Sequence, residues 1–161
     1  MELELVPINY PEGMNIIFGQ SHFIKTVEDM HEILAQSVPG IKFGLAFSEA
    51  SGPCLIRKSG TDPELVDIAV ENLQRIASGH VFLIVLGNVF PISVMHALRT
   101  VPELCIIFCA TGNPVKAVVA RDNDGGGVLG VIDGFAPKGV EDQEDIDKRK
   151  GFLRDIVGYK L

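Results

Sequence analysis

Hydrophobic and polar residues alternate strictly in several parts of the chain. Residues 2–8 alternate at period two, which predicts a half-buried strand, and residues 14–18 predict a second strand that should pair with it as a hairpin. Residues 42–50 and 54–58 are also strand-like and are joined by a short Ser-Gly-Pro turn. The pattern therefore predicts extensive antiparallel pairing in the first third of the chain.

Two later runs, residues 81–86 and 104–110, are apolar at both alternating positions. Such runs are typical of central strands that are covered on both faces. Residues 115–121 and 128–133 then predict a hairpin, because the acidic and glycine-rich segment between them is a strong turn signal.

Apolar residues at helical spacing predict helices between these strands. The first begins near Thr26, whose side chain approaches a capping box with Asp29. The clearest helix spans residues 61–78, a short one follows Pro91, and a charged helical tail covers residues 141–161. We therefore predict a single-domain α/β fold over residues 1–161, with a mixed sheet that contains several antiparallel hairpins and is covered by helices.

Composition and charge exclude some classes of partner. The 161 residues carry a net charge of −7 with scattered basic residues, so we expect no nucleic-acid partner. The N-terminal residues lack the features of a signal peptide, and the longest apolar run is too short to cross a bilayer, so we expect a cytoplasmic protein without a membrane partner. Its three cysteines are interpreted as small hydrophobic residues rather than metal ligands.

A Gly-Gln-Ser-His segment joins the second strand to the first helix, and it supplies the candidate residues Gly19, Gln20, Ser21 and His22. A loop at a strand end beside a helix N-terminus is suited to binding anionic ligands. Imidazole can act as a base or phosphoryl acceptor, and Lys25 lies where it could neutralise phosphate charge. His22 and Lys25 are therefore the candidate catalytic residues. The alternative is a histidine that merely occupies a surface loop, and the residues alone favour that alternative.

Polar residues also follow each of the two apolar strands. Asn88 and Phe90 come after the first, and Asn113 comes after the second, where open sheets bind ligands. Phe90 could stack on a purine or fill the core, and the two asparagines could contact base edges or sugar hydroxyls. We treat all three as candidate ligand-binding residues.

The last predicted hairpin contributes three further candidates. Gly127 belongs to a turn whose functional interpretation is a mobile flap with a backbone that can approach phosphates. Gly130 interrupts a short strand, and Asp133 could bind Mg²⁺ or accept from a ribose hydroxyl, but a tightly packed strand with a capping aspartate is an equal alternative. The four histidines have no metal-ligand spacing, so we expect no structural metal.

The stretch Gly19–Asp29, GQSHFIKTVED, resembles the signature of the adenosine-specific kinase family. Two later regions are similar to the same family. The first contains Phe90-Pro-Ile, Val101-Pro-Glu and residues 108–114, and the second is residues 127–134.

The resemblance implies a kinase-like phosphotransferase that binds adenosine or an adenine nucleotide (ATP, ADP or AMP) and uses a phosphorylatable histidine, here His22. It implies ATP with Mg²⁺ as the donor, and a homo-oligomer with a trimer favoured. The candidate cations are few (Lys25, Arg57, Lys58 and Arg121), which favours a site completed by a neighbouring subunit. The alternative is a non-catalytic sensor of adenine nucleotides.

Overall fold

Strand pairing in the computed structural model, which describes residues 1–158, divides the chain between two sheets. The strands are β1 (Glu2–Ile8), β2 (Asn15–Ser21), β3 (Phe43–Ser48), β4 (Ile56–Gly60), β5 (Val81–Leu86), β6 (Leu104–Thr111), β7 (Val115–Arg121) and β8 (Gly126–Asp133). One sheet has the order β4–β3–β5–β2–β6 and the other β1–β7–β8. Each paired set of neighbours is antiparallel. The predicted α/β class with antiparallel hairpins is confirmed.

Helices cover the larger sheet on both faces. The helices are α1 (Thr26–Ser37), α2 (Pro63–Ile76), α3 (Ile92–Leu98) and α4 (Gln143–Phe152), and the first three cover this sheet. One face packs against α1 and α3, whose buried side chains include Met30, Leu34 and Leu98. The opposite face packs against α2 and the smaller sheet. β5 is therefore buried on both faces, as its apolar pattern predicts.

Two predictions about strand neighbours are wrong. β1 does not form a hairpin with β2 but pairs with β7, from Glu2 opposite Arg121 to Ile8 opposite Val115. Local alternation identifies a strand without identifying its partner, and here the connection leads into the other sheet. β6 is not central but lies at the edge of the five-stranded sheet, where Ile106 is 46% exposed. An apolar run indicates apolar surroundings, and it does not report pairing along both edges.

The start of α1 also differs from the prediction. Thr26 does not cap the helix, because its hydroxyl donates to the Phe23 carbonyl (2.8 Å) and lies 3.0 Å from the Ser21 hydroxyl. Asp29 pairs with Lys25 instead of closing a capping box. The segment entering the helix is thus held by contacts to the end of β2, which is the part of the fold that carries the Gly-Gln-Ser-His residues.

The C-terminal tail forms α4 and then a π-helical turn over Leu153–Val157. None of its described side chains is buried, and Ile156 is 64% exposed. Residues 159–161 of the predicted tail lie outside the described residues. Within residues 1–158, no helix combines the length and the hydrophobicity that crossing a membrane would require.

Candidate functional site

The ends of three adjacent strands lie side by side at one end of the five-stranded sheet. β2 ends at Ser21 and β3 at Ser48, while the antiparallel strand between them, β5, begins just after His80. The Ser21 amide donates to the His80 carbonyl (3.0 Å), and the His80 amide donates to the Ser48 carbonyl (2.7 Å). These bonds bring His22, Glu49 and His80 to the same end of the sheet.

The side chains at this end of the sheet surround an open cavity of about 460 Å³. One wall is the loop that follows β2, and the other is the connection between β3 and β4. The lining residues are His22, Phe23, Ile24, Glu49, Ser51, Gly52, Pro53, Arg57 and His80. The cavity therefore combines two histidines and an arginine with a single carboxylate.

Glu49 is the residue that connects the charged groups of this cavity. Its carboxylate accepts from the Ala50 amide (3.0 Å) and the Ser51 hydroxyl (3.3 Å), and it lies 3.5 Å from Nε2 of His80. Burial acts to raise the pKa of Glu49, but these hydrogen bonds and the charge of Arg57 outweigh burial and hold the pKa below its usual value. Glu49 is consequently ionised at neutral pH, although its side chain is only 9% exposed.

Arg57 supplies the positive charge of the cavity. Its Nε lies 3.6 Å from the nearer Glu49 oxygen, which is close enough for an ion pair but too long for a hydrogen bond. That Nε is buried and has no hydrogen-bond partner among the residues that the structure describes. A buried donor without a partner is costly, and an anion entering the cavity would satisfy it.

His80 is a site residue that the sequence pattern does not reveal, because it stands directly before an apolar strand. Its backbone is left-handed, with φ of 58°, a conformation that costs a non-glycine residue about 1–3 kcal/mol. Its ring stacks on Phe47 with the centroids 5.8 Å apart. The strained backbone, the stacking and Glu49 together fix the imidazole at the cavity wall.

The loop that contains His22 is shorter than predicted. β2 continues through Ser21, so Gly19 and Gln20 are strand residues and the loop begins at His22. The Ser21 hydroxyl is buried against Thr26 and does not orient the His22 ring. Gln20 is exposed, and Gly19 lies in close contact with its strand neighbours. Of these four candidates, the structure places only His22 on the cavity.

Lys25 is not among the residues that line the cavity. Its ammonium group lies 3.1 Å from Asp29, and its side chain is 62% exposed. The Asp29 carboxylate in turn lies close to that of Glu103, whose backbone carbonyl accepts from the His22 amide (2.9 Å). Burial, followed by the contact with Asp29, raises the pKa of Glu103, while the bonds from Glu103 and Lys25 lower that of Asp29. Lys25 thus belongs to a network behind the loop.

The polar residues predicted at strand ends lie at the opposite end of the sheet, where β5 and β6 stop. The Asn88 side chain accepts from the Lys42 amide (2.8 Å), and the Asn113 amide group donates to Asp133 (3.1 Å). Phe90 is 37% exposed at a recess of about 370 Å³. The length of β5, roughly 17 Å, separates this end of the sheet from His22. Within one chain the two groups of candidates do not meet, and the ligand roles of the second group stay predictions.

The glycine-rich hairpin lies nearer to the His22 cavity. A second cleft of about 460 Å³ is lined by Ser78, Gly126 and Glu49, so it shares the Glu49 wall with the first. Gly126 packs against Ser78, whereas the sites beside Gly127 and Gly130 are open, with no atom within 4 Å of an added Cβ. Gly127 does not belong to the turn as predicted, because β8 begins at Gly126 and Gly127 pairs with Ala120, and its role as a mobile flap stays a prediction.

Within residues 1–158, no group of three or more His, Cys, Asp or Glu side chains is placed to hold a metal ion. Magnesium that is bound to a nucleotide takes most of its ligands from phosphate oxygens and water. A magnesium ion at this cavity would therefore need a bound nucleotide to supply most of its ligands.

Comparisons with known proteins are consistent with this architecture. The chain is similar to the PH1918 protein from Pyrococcus horikoshii OT3, whose crystal structure superposes with a TM-score of 0.92 at 40% sequence identity, covering 99% of this chain and 98% of that one. No curated protein matches the sequence. The model of the family described as adenosine specific kinase matches residues 6–160. The chain therefore belongs to the adenosine specific kinase family.

Proposed function

We propose that this protein transfers a phosphoryl group from ATP to adenosine, and that His22 carries the group between them. The observation that supports this most strongly is the composition of the His22 cavity. His22 and His80 line it together with Arg57, whose buried Nε has no partner in residues 1–158. A histidine that can accept a phosphoryl group thus lies beside a cation that can bind the phosphate oxygens.

The first step is attack by a His22 ring nitrogen on the γ-phosphorus of ATP. The new N–P bond replaces the P–O bond to the leaving group, ADP, and Mg²⁺ bound by the nucleotide would supply further neutralisation of phosphate charge. The phosphorylated ring gains a charge of about −2, by analogy with other phosphorylated side chains. Arg57 is the cavity residue that can compensate this charge, since Lys25 does not line the cavity.

The second step returns the enzyme to its starting state. A hydroxyl of adenosine attacks the phosphorus, the N–P bond breaks, and the product is a nucleoside monophosphate. A non-catalytic adenine-nucleotide sensor is the alternative function, and the exposed position of His22 is compatible with both. Only the kinase reading requires ATP to be consumed when adenosine is present.

Adenosine, AMP and ADP should each raise the melting temperature, because a ligand that binds only the folded state stabilises it by about 2.7 kcal/mol at one hundred times its Kd. Differential scanning fluorimetry with adenosine and guanosine at equal concentrations measures this, and an assay for ADP release then separates kinase from sensor. The proposal requires a larger shift with adenosine and adenosine-dependent ADP release. Equal shifts with both purines would remove the adenine specificity.

The proposed enzyme is a homo-oligomer, with a trimer expected. The outer face of the three-stranded sheet supports an assembly, because it exposes Leu3 (68%), Leu129 (65%), Leu5 (52%) and Ile132 (47%). An apolar patch of this kind is typical of an interface between proteins. Sedimentation velocity at micromolar concentration should give about three times the 17.4 kDa monomer mass. A single species at the monomer mass would contradict the assembly.

A further inference from the structure

His80 has the surroundings of a general base rather than those of a packing residue. Its ring lines the same cavity as His22, and its Nε2 lies 3.5 Å from the buried carboxylate of Glu49. This is the distance of an ion pair rather than of a hydrogen bond, and a carboxylate, which cannot donate a proton when ionised, favours the tautomer in which Nε2 carries the proton. The remaining nitrogen, Nδ1, then has the lone pair. A carboxylate that fixes the tautomer of a histidine and stabilises its protonated form is the arrangement that serves bases in acyl-transfer enzymes.

The backbone supports the same interpretation. His80 has a left-handed conformation that few non-glycine residues adopt, and two hydrogen bonds to the ends of β2 and β3 hold it there. Strained residues of this kind cluster at functional sites, where the strain sets the position of a side chain. Here it places the imidazole of His80 on the cavity that also contains the imidazole of His22.

The second half of the proposed reaction leaves one proton without an acceptor. When a nucleoside hydroxyl attacks the phosphorus on His22, the hydroxyl must lose its proton as the new O–P bond forms. The electron pair of the N–P bond returns to His22, whose other ring nitrogen carries the proton that makes it a neutral leaving group. His22 is thus engaged as the leaving group and does not take the hydroxyl proton.

We propose that His80, held by Glu49, is the general base that accepts this proton at Nδ1. The inference rests on the proposed function and assigns a residue to its second step. The proton converts His80 to an imidazolium 3.5 Å from the ionised Glu49, which compensates the new charge. The charged and titratable groups that face His80 at the cavity are Glu49 beyond β3, Arg57 on β4 and His22 beyond β2. Atoms and charge balance without a further reactant.

The test measures the two half-reactions separately. Wild-type protein and the variants His80→Asn and Glu49→Gln are first incubated with Mg-ATP, and the phosphorylated fraction is read by intact mass at neutral pH. The phosphoproteins are then isolated and mixed with adenosine, and the loss of the phosphoryl group is followed by rapid quench from pH 5.5 to 8.5. Asparagine is chosen because it tolerates a left-handed backbone, and melting temperatures verify that each variant is folded.

We expect His80→Asn to become phosphorylated like the wild type but to transfer the group roughly 10²-fold more slowly, the lower end of what general bases contribute. Wild-type transfer should slow as the pH falls, because a protonated base cannot accept the hydroxyl proton, whereas His80→Asn should lack that dependence. Glu49→Gln should also slow the transfer step, because the neutral amide no longer fixes the orientation of the His80 ring. Added imidazole should restore part of the rate of His80→Asn.

Transfer by His80→Asn at the wild-type rate would overturn the assignment, and so would slower transfer with an unchanged pH dependence, since a purely structural role would give that result. A failure of the proposed function has a different signature, because wild-type protein would then carry no phosphoryl group in the first half-reaction. That result would contradict both the proposed phosphoryl transfer and the assignment of His80 as its general base.

Discussion

Replacing Gly19 with alanine is expected to destabilise the protein by about 1–3 kcal/mol or more, the usual cost of overpacking a core. A Cβ at this position would lie 2.3 Å from the Ile106 carbonyl oxygen and 2.6 Å from the ring of Phe82. The oxygen belongs to the backbone of β6, the strand paired with β2 at this point, so it cannot move aside as a flexible side chain would. Gly19 is thus required for strand packing, although it opens the Gly-Gln-Ser-His motif.

Gly127→Ala is the matched control for this prediction. Gly127 is another candidate ligand-binding glycine, but an alanine there would meet no atom within 4 Å. Its stability should be unchanged, or raised by about 0.4–1 kcal/mol because alanine restricts the unfolded chain. Urea unfolding of both variants measures the difference. Equal stabilities, with adenosine binding lost only in Gly19→Ala, would mean that Gly19 acts as a ligand contact instead.

Local patterns in the sequence predicted much of the fold because they depend on local physics. The apolar stripe of α1 and the turn between β7 and β8 each involve residues within a few positions of one another. The partner of β1 depends instead on packing between residues more than one hundred positions apart, and alternation carries no information about it.

The same distinction explains which site residues could be found. His22 was recognisable because its motif is contiguous and resembles a known family. His80 and Glu49 become neighbours only when β3 and β5 pair, so neither stands out in the chain. A weak signal was present nonetheless, because each is a charged or titratable residue directly next to a long apolar strand. Asn88 and Asn113 gave a similar signal but lie at the opposite end of the sheet. The sequence alone could not show at which end of the sheet each residue lies.

His22→Asn is expected to abolish phosphoryl transfer, because no other ring in the cavity duplicates its position. Asparagine cannot replace a histidine nucleophile, because the nitrogen of its side-chain amide lacks a usable lone pair. His96→Asn is the matched control, since His96 is exposed on α3 and is absent from the residues that line the cavity. Arg57→Gln should lower the modified fraction by weakening charge compensation, while Lys25→Gln should change it little.

Intact mass at neutral pH after incubation with Mg-ATP tests the central role of His22 most directly. The expected result is an acid-labile gain of one phosphoryl mass in the wild type and in His96→Asn, and none in His22→Asn. The modified wild type should then lose that mass when adenosine is added, with formation of a nucleoside monophosphate. A His22→Asn protein that is still modified and still converts adenosine would contradict the account.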